Sequence, residues 1–392
     1  MDETNFLLSY RQGEKALDLH DVVTDLKCAG SLVYASTLSG NVCVYDAQEE
    51  RQVDSFALAA ASVSSASEPG WLGSAMQCSS LDLRNDILVA GSQGGAMGAW
   101  RASSHEPIAV WSAHADSVSR VQFVTDEEVY SVSHDGYFRA YNLAHGQTTH
   151  SFVACTCPLT SLAVASPDTV FLGGLDGTVK LLDLRAKSCA AVLRPSASDD
   201  SPVRALTLGP APALQGLPLP AAGAAPAAGS KLPMLLYVSH GHGELKAWDL
   251  RFPRVFAGGF GGAEYGIRSL TLAPSAQGPR LLGGGDDGKI RLWDAHTGAA
   301  ADVLGGFGDG VTCLQVAEGA LYAGGYDGQL RVYSLAEVDE AAARRRAEKE
   351  AQLKLAEEEA ERARALAKAL RRKKVAAKKK KEAEQSRYQR RL

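Results

Sequence analysis

The stretch GGGDDGKIRLWD, Gly283 to Asp294, decides the fold. It holds Gly283, four further residues and then Gly288-Lys289, the skeleton of a phosphate-cradling loop G-x-x-x-x-G-K-[ST]. Such a loop needs a hydroxyl after the lysine to hold Mg²⁺ and must open a helix whose N-terminus meets the phosphates. Here the hydroxyl position is Ile290. The residues after Lys289 read IRLWD, where Ile290, Leu292 and Asp294 alternate with Arg291 and Trp293, β-branched and aromatic strand material. Asp286 and Asp287 would also repel a phosphate. The stretch therefore reads as a strand, a tight glycine turn and a second strand.

Outward from Gly288 the pattern recurs. Copies read STLSGNVCVYDA around Gly40, GSQGGAMGAWRA around Gly95, VSHDGYFRAYNL around Gly136, GGLDGTVKLLDL around Gly177, SHGHGELKAWDL around Gly243 and GGYDGQLRVYSL around Gly328. Successive glycines are 55, 41, 41, 66, 45 and 40 residues apart. Four of these spacings match the forty-odd residues of a four-stranded propeller blade. The long ones contain AAASVSSASEPG (59–70) and GPAPALQGLPLPAAGAAPAAGS (209–230), small-residue, Pro- or Ser-rich segments that pack no core. Insertions read as disordered surface loops are thus expected near 57–72 and 209–233.

About twenty residues before each glycine comes a run with apolar residues at period two, such as VTDLKC, VSRVQF, LTSLAV, VRALTL, IRSLTL or VTCLQV. A short apolar run, the turn and the third strand come next. Three strands per copy and a more variable fourth make a blade. On these residues, and above all on LWD at 292–294 and AWD at 247–249, the chain resembles the WD-repeat β-propellers from about residue 14 to 335. The resemblance implies an all-β, seven-bladed propeller that acts as a binding platform. It also implies that an Asp in each turn bonds a His in the loop before the blade. That Asp is present at Asp135, Asp176, Asp287 and Asp327, while the matching His is clear only at His114 in SAHADSV. Position 39 is Ser, 94 is Gly and 242 is His, so the polar network is expected to be incomplete.

The seventh copy ends at QLRVYSL with no fourth strand behind it, whereas KALDLHDV (15–22) has the pattern of a fourth strand ahead of the first blade. The N-terminus is expected to complete the last blade, close the ring and remove an exposed sheet edge. The expected division is a lead-in at 1–13, the propeller at 14–336 and a separate segment at 337–392.

That last segment changes character. The net charge of −4 conceals 19 Lys+Arg against 11 Asp+Glu in residues 337–392, and 22 against 34 in residues 1–336. Rich in Ala, Glu, Lys, Arg and Leu, and lacking Gly and Pro, the segment predicts a long charged α-helix. Favourable i,i+4 pairs fall at Glu340–Arg344, Glu350–Lys354 and Glu358–Arg362. Leu353, Leu355, Leu366, Leu370 and Val375 do not sustain a coiled-coil heptad, so a solvated helix that docks on a partner is expected rather than self-association. Its basic end, Arg371, Arg372, Lys373, Lys374, Lys378, Lys379, Lys380 and Lys381, suits RNA phosphates or an acidic protein surface such as a microtubule, and could serve as a nuclear or nucleolar address. The alternatives are a solvated charge run and contact with the acidic propeller itself.

Chemistry is sparse. There is no G-x-S-x-G and no H-E-x-x-H. Cys155 and Cys157 form a C-x-C without a second ligand pair at zinc-like spacing, and His240, His242 and Glu244 cluster only within a turn. The other cysteines, at 28, 43, 78, 189 and 313, mostly lie in strand-like runs and read as small buried hydrophobes in a reducing compartment. The N-terminus shows no leader, and no window approaches 18 uninterrupted apolar residues, so an intracellular, cytoplasmic or nuclear, protein is expected. The expectation is a non-enzymatic scaffold with no cofactor, no metal, no small-molecule substrate and no membrane, holding protein partners on the propeller. It would be anchored by its tail in a ribonucleoprotein, ribosome-assembly or cytoskeletal particle. The alternative rests on WDLR (248–251) and LDLR (182–185), similar to the W-D-x-R of WD-repeat substrate receptors of cullin-type ubiquitin ligases. It would make Arg185 and Arg251 adaptor contacts.

Overall fold

Seven glycines set the frame. Gly40, Gly95, Gly136, Gly177, Gly243, Gly288 and Gly328 all have φ between +71° and +88°, a region open to glycine and costly for other residues. The computed structural model describes residues 15–58, 76–194, 201–209, 235–250, 254–260, 265–275, 278–295 and 297–341, with 343–345, 348, 351–352 and 354 beyond them. Within this range each turn joins the second and third strands of a four-stranded antiparallel sheet, and there are seven such sheets.

Blade one comprises Val23–Ala29, Leu32–Thr37, Asn41–Asp46 and Arg51–Ala57; blade two, Cys78–Arg84, Ile87–Ser92, Ala96–Arg101 and Pro107–Ser112. Blade three runs through Val118–Phe123, Glu128–Ser133, Tyr137–Asn142 and Gln147–Val153, and blade four through Leu159–Ser166, Thr169–Gly174, Val179–Asp183 and Ser188–Leu193. Blade five holds Val203–Gly209, Leu235–His240, Leu245–Asp249 and Arg254–Phe260, and blade six Ile267–Ala273, Arg280–Gly285, Ile290–Asp294 and Ala300–Leu304. Gly283–Lys289 is thus the end of a strand and its turn. Blade seven takes Val311–Ala317, Ala320–Gly325 and Gln329–Ser334 from one end of the chain and Lys15–Asp18 from the other. Its closing register pairs Lys15 with Val332 and Asp18 with Gln329, the closure expected from KALDLHDV.

The first strands of the blades contact one another in a closed cycle, blade seven returning to blade one. Hydrophobic clusters lie between neighbouring blades. Tyr34, Val42, Leu81, Leu88 and Trp100 join blades one and two, and Tyr237, Leu245, Ile267, Leu281 and Trp293 join five and six. Both faces of each sheet are therefore covered, and the ring needs no single central core. The position five residues after each turn glycine is filled by Tyr45, Trp100, Tyr141, Leu182, Trp248, Trp293 and Tyr333, all 6% exposed or less. Truncating one of the six aromatic rings among them would cost about 3–5 kcal/mol.

Every inner strand also carries a bulge after its first residue. The bulge leaves the second residue outside the ladder, free to reach sideways. In five blades that residue is Thr24, Ser79, Ser119, Thr160 or Thr312. Four of these hydroxyls meet the first carbonyl of the next inner strand: Ser79 reaches Val118 O at 2.5 Å, Ser119 reaches Leu159 O at 2.5 Å, Thr160 reaches Val203 O at 2.6 Å and Thr312 reaches Val23 O at 2.5 Å. Blades five and six have Arg204 and Arg268 there. Ser239 supplies the missing latch between five and six, 2.9 Å from Ile267 O.

Ala336–Leu392 form a separate unit. It is helical at each described position as far as Lys354, and Glu340 pairs with Arg344 at 3.4 Å. The basic residues Arg371, Arg372, Lys373, Lys374 and Lys378 to Lys381 lie outside the described residues, as do the 59–70 and 210–230 stretches. The described part of blade one extends through Ala57, which pairs with Asn41, and the fully buried Leu58. Among the described residues no helix is long and apolar enough to cross a membrane.

Candidate binding face and the polar blade network

One end of the propeller is built from the glycine turns and from the loops that enter the following blades. The two interlock. A Cβ on Gly95 would overlap the carbonyl oxygen of His114, and one on Gly136 that of Cys155. Positive φ and close backbone approach therefore both demand glycine, which is why the motif was legible from one residue type.

In blade three the network is complete. His114 Nδ1 lies 3.0 Å from Asp135 Oδ2, and His114 Nε2 lies 2.8 Å from Ser131 Oγ. Asp135 also accepts the Ala115 and Tyr137 N–H groups at 3.1 and 2.9 Å. An ionised carboxylate only accepts, so Nδ1 carries the proton and Nε2 receives the Ser131 hydroxyl. Burial holds the His114 imidazole below its ordinary pKa, and the opposing pull of Asp135 does not reverse this. The pair is therefore a hydrogen bond from a neutral ring. Burial alone would push Asp135 up, but the backbone donors and His114 outweigh it and keep the carboxyl below its usual value.

The other three expected acids are turned to different partners. Asp287 meets Arg291 of its own hairpin in a two-pronged pair at 3.0 and 2.7 Å, both side chains about 10% exposed. Burial is again outweighed, here by the guanidinium, and the Asp287 carboxyl is lowered. Asp327 accepts the N–H groups of Gly308 and Gln329 at 2.8 and 3.2 Å. Asp176 Oδ1 accepts the Thr178 N–H and hydroxyl at 3.1 and 2.7 Å, and Cys155, standing where blade three has His114, donates toward Oδ2 at 3.6 Å. Burial, the bond to Cys155 and the Asp176 charge push the Cys157 thiol up to about 12.

Blade one solves the loss of its turn acid from the other side. Asp21, in the entering loop, accepts the Ser39 N–H at 2.9 Å and the Val22 N–H at 2.8 Å. Sequence reasoning missed Asp21, Ser131 and Arg291. Asp21 did leave a signal: it stands two residues before its inner strand, as do Asp116 and Asp309, and each caps the next N–H.

The same end carries an exposed cluster at blades six and seven. Tyr265 and Tyr326 are 54% and 38% exposed. Arg268, the latch-position residue of blade six, is bonded to Asp286, reaches Tyr326 Oη at 2.9 Å and lies over the Tyr326 ring. Asp286 N in turn donates to Gly266 O, beside Tyr265. Leu175 is exposed in the turn of blade four.

Along the axis, the inner strands line a cavity of about 180 Å³. Its charges are spent on structure: Asp25 Oδ2 accepts the Ser80 hydroxyl, the Leu81 N–H and Arg120 Nη1, each at 3.0 Å, and Lys27 lies 3.3 Å from Asp82. His240 is buried and bonded through Nδ1 to Ser201 O at 3.1 Å, while Glu244 pairs with Lys246 at 2.5 Å, so SHGHGE gathers no ligand set. Arg185 is 71% exposed, 3.7 Å from both Asp168 and Asp183; Arg251 lies outside the described residues.

Two sequence families match the chain. The WD domain, G-beta repeat family matches residues 254–294. The family described as outer membrane protein assembly factor BamB matches residues 9–152. No curated protein matches. The first match starts in the outer strand of blade five and ends in the third strand of blade six, the same phase in which Lys15–Asp18 precedes blade one. With the ring of seven four-stranded sheets, it identifies the chain as a WD-repeat propeller of seven blades.

Proposed function

We propose that this protein is a non-enzymatic scaffold that holds protein partners on the turn face of the propeller and anchors through its basic C-terminal tail in a larger assembly, a ribonucleoprotein or a cytoskeletal surface. The observation that carries the first half is the Tyr265–Asp286–Arg268–Tyr326 cluster. Tyrosine and arginine are the residues that dominate binding energy at protein interfaces, and here a guanidinium is stacked and held, so little side-chain freedom is left to lose on binding. The excess of cations from Arg362 onward, 14 against Glu382 and Glu384, supports the second half.

The test is a crosslinked pull-down with the full chain, a 1–361 truncation and an Arg268→Ala/Tyr326→Ala variant, each with and without nuclease. Partners lost only from the Arg268/Tyr326 variant sit on the propeller. Partners lost alike on truncation and on nuclease treatment are reached by the tail through RNA, and partners lost on truncation alone are acidic proteins. If none of the three changes alters the captured set, the proposal is wrong. The ligase-receptor alternative has one supporting observation, the exposure of the Arg185 side chain. It requires that a ligase adaptor be captured and lost on Arg185→Ala or Arg251→Ala.

A further inference from the structure

In the loop entering blade four, Cys155 and Cys157 stand where the loop entering blade three has His114 and Asp116, four and two residues before the inner strand. Asp176 stands where blade three has Asp135. The exchange replaces a histidine–carboxylate bond by two thiols facing a carboxylate. Cys155 Sγ, Cys157 Sγ and an Asp176 oxygen all lie within 4.8 Å of one another, and no other such group occurs among the described residues.

Three features distinguish this from accidental proximity. The first is spacing: Cys155 Sγ to Asp176 Oδ2 is 3.6 Å, against an S···O edge of about 3.5 Å for a tetrahedral site with metal–sulfur and metal–oxygen distances of about 2.3 and 2.0 Å. The second is orientation. Thr178 occupies Oδ1 with both its N–H and its hydroxyl, which fixes the carboxylate and leaves Oδ2 toward Cys155, the kind of outer support that aims a ligand. The third is charge. Two thiolates and one carboxylate around a divalent ion leave one negative charge, and Lys180 Nζ stands 3.9 Å from Asp176 Oδ2 to balance it. Gly174 keeps the space open, because a Cβ there would run into Asp176 Oδ1 and come to 3.3 Å from Cys157 Sγ.

We propose that Cys155, Cys157 and Asp176 form a site for a thiophilic divalent cation, with zinc as the reference ion and a fourth position open to solvent. Sulfur ligands select zinc and its neighbours over magnesium or calcium, which take oxygen shells. Cys155 is buried, whereas Cys157 is part-exposed and Asp176 exposed, so the ion would enter from the surface and leave one position for water. Bound there, it would tie the loop entering blade four to the turn of that blade, as the His114–Asp135 bond ties the corresponding parts of blade three.

The experiment is a cobalt titration of the reduced full-length protein. One equivalent of Co²⁺ is expected to give near-ultraviolet thiolate-to-metal charge transfer and the visible bands of tetrahedral cobalt, both erased by Zn²⁺. Cys157→Ser and Asp176→Asn should each weaken binding about tenfold or more, while Cys189→Ser, at an exposed cysteine of blade four, should leave it unchanged. Thermal melts check that each variant is folded; should Cys157→Ser not fold, the exposed Asp176→Asn carries the test. Absence of the charge-transfer band in the wild type, or a band that Cys157→Ser and Asp176→Asn leave untouched, overturns the proposal.

Discussion

Replacing His114 by alanine tests the polar network where it is complete. The imidazole gives one hydrogen bond to an ionised carboxylate and receives one from a hydroxyl, at 3.0 and 2.8 Å. A buried bond to a charged group is worth about 1.5–3 kcal/mol and a neutral one about 1 kcal/mol. Asp135 would keep its two backbone donors, so the loss should be about 3 kcal/mol. With about 2.1 cal/mol/K of unfolding entropy per residue and about 320 residues in the propeller, this lowers Tm by about 4–5 °C. The effect should also depend on pH in a definite direction. Burial keeps the folded-state imidazole neutral where the unfolded chain begins to take up a proton, near pH 6.5. The stabilisation is therefore complete above that pH and is lost as the pH falls toward the lowered folded value, by at most about 1.4 kcal/mol per pH unit. Calorimetry of wild type and His114→Ala at pH 8 and pH 5 measures both. A Tm difference below about 1 °C at pH 8, or one that is the same at pH 5, would refute the assignment of a buried neutral histidine holding Asp135.

Two further substitutions probe the turns and latches. Gly136→Ala should cost more than about 2 kcal/mol, because it combines φ of +80° with overlap of the Cys155 carbonyl, whereas Gly146→Ala, at φ +60° with nothing within 4 Å, should cost only about 1 kcal/mol; equal melting shifts would show that the interlock is not what requires glycine. Thr312→Val keeps shape but removes the hydroxyl 2.5 Å from Val23 O, and should cost about 1–2 kcal/mol in urea unfolding; no change in the midpoint would show that the latch between blades seven and one does not hold the ring closed.

Much of this architecture is local and was readable in the chain. The spacing of the turn glycines gave the blade count because each blade needs a positive-φ residue at one place. The closing strand was readable because Gln329–Ser334 had no successor while Lys15–Asp18 had no predecessor. Period-two alternation located the inner strands. The hydroxyl at the second position of VSRV, LTSL and VTCL was visible too, but its use was not, since a bulge and a carbonyl of the next blade give it meaning, about 40 residues away for Ser119 and Thr160 and at the far end of the chain for Thr312.

The pairings among polar side chains belong to the tertiary structure. Asp287 turns to Arg291 in place of a histidine, Asp21 serves the turn of blade one from outside it, and Arg268 finds Asp286 and Tyr326. Cys155 and Cys157 meet Asp176 only because the entry loop of blade four folds back over that blade's turn. Sequence by itself determined the repeat, since steric limits on φ and the alternation of a pleated strand act within a few residues. Which charges neutralise one another, and where aromatic and sulfur groups gather on the turn face, was decided as loops and hairpins packed together, from Asp287–Arg291 within one hairpin to Arg268–Tyr326 between blades, because the repeat alone does not select among the polar partners each turn could take.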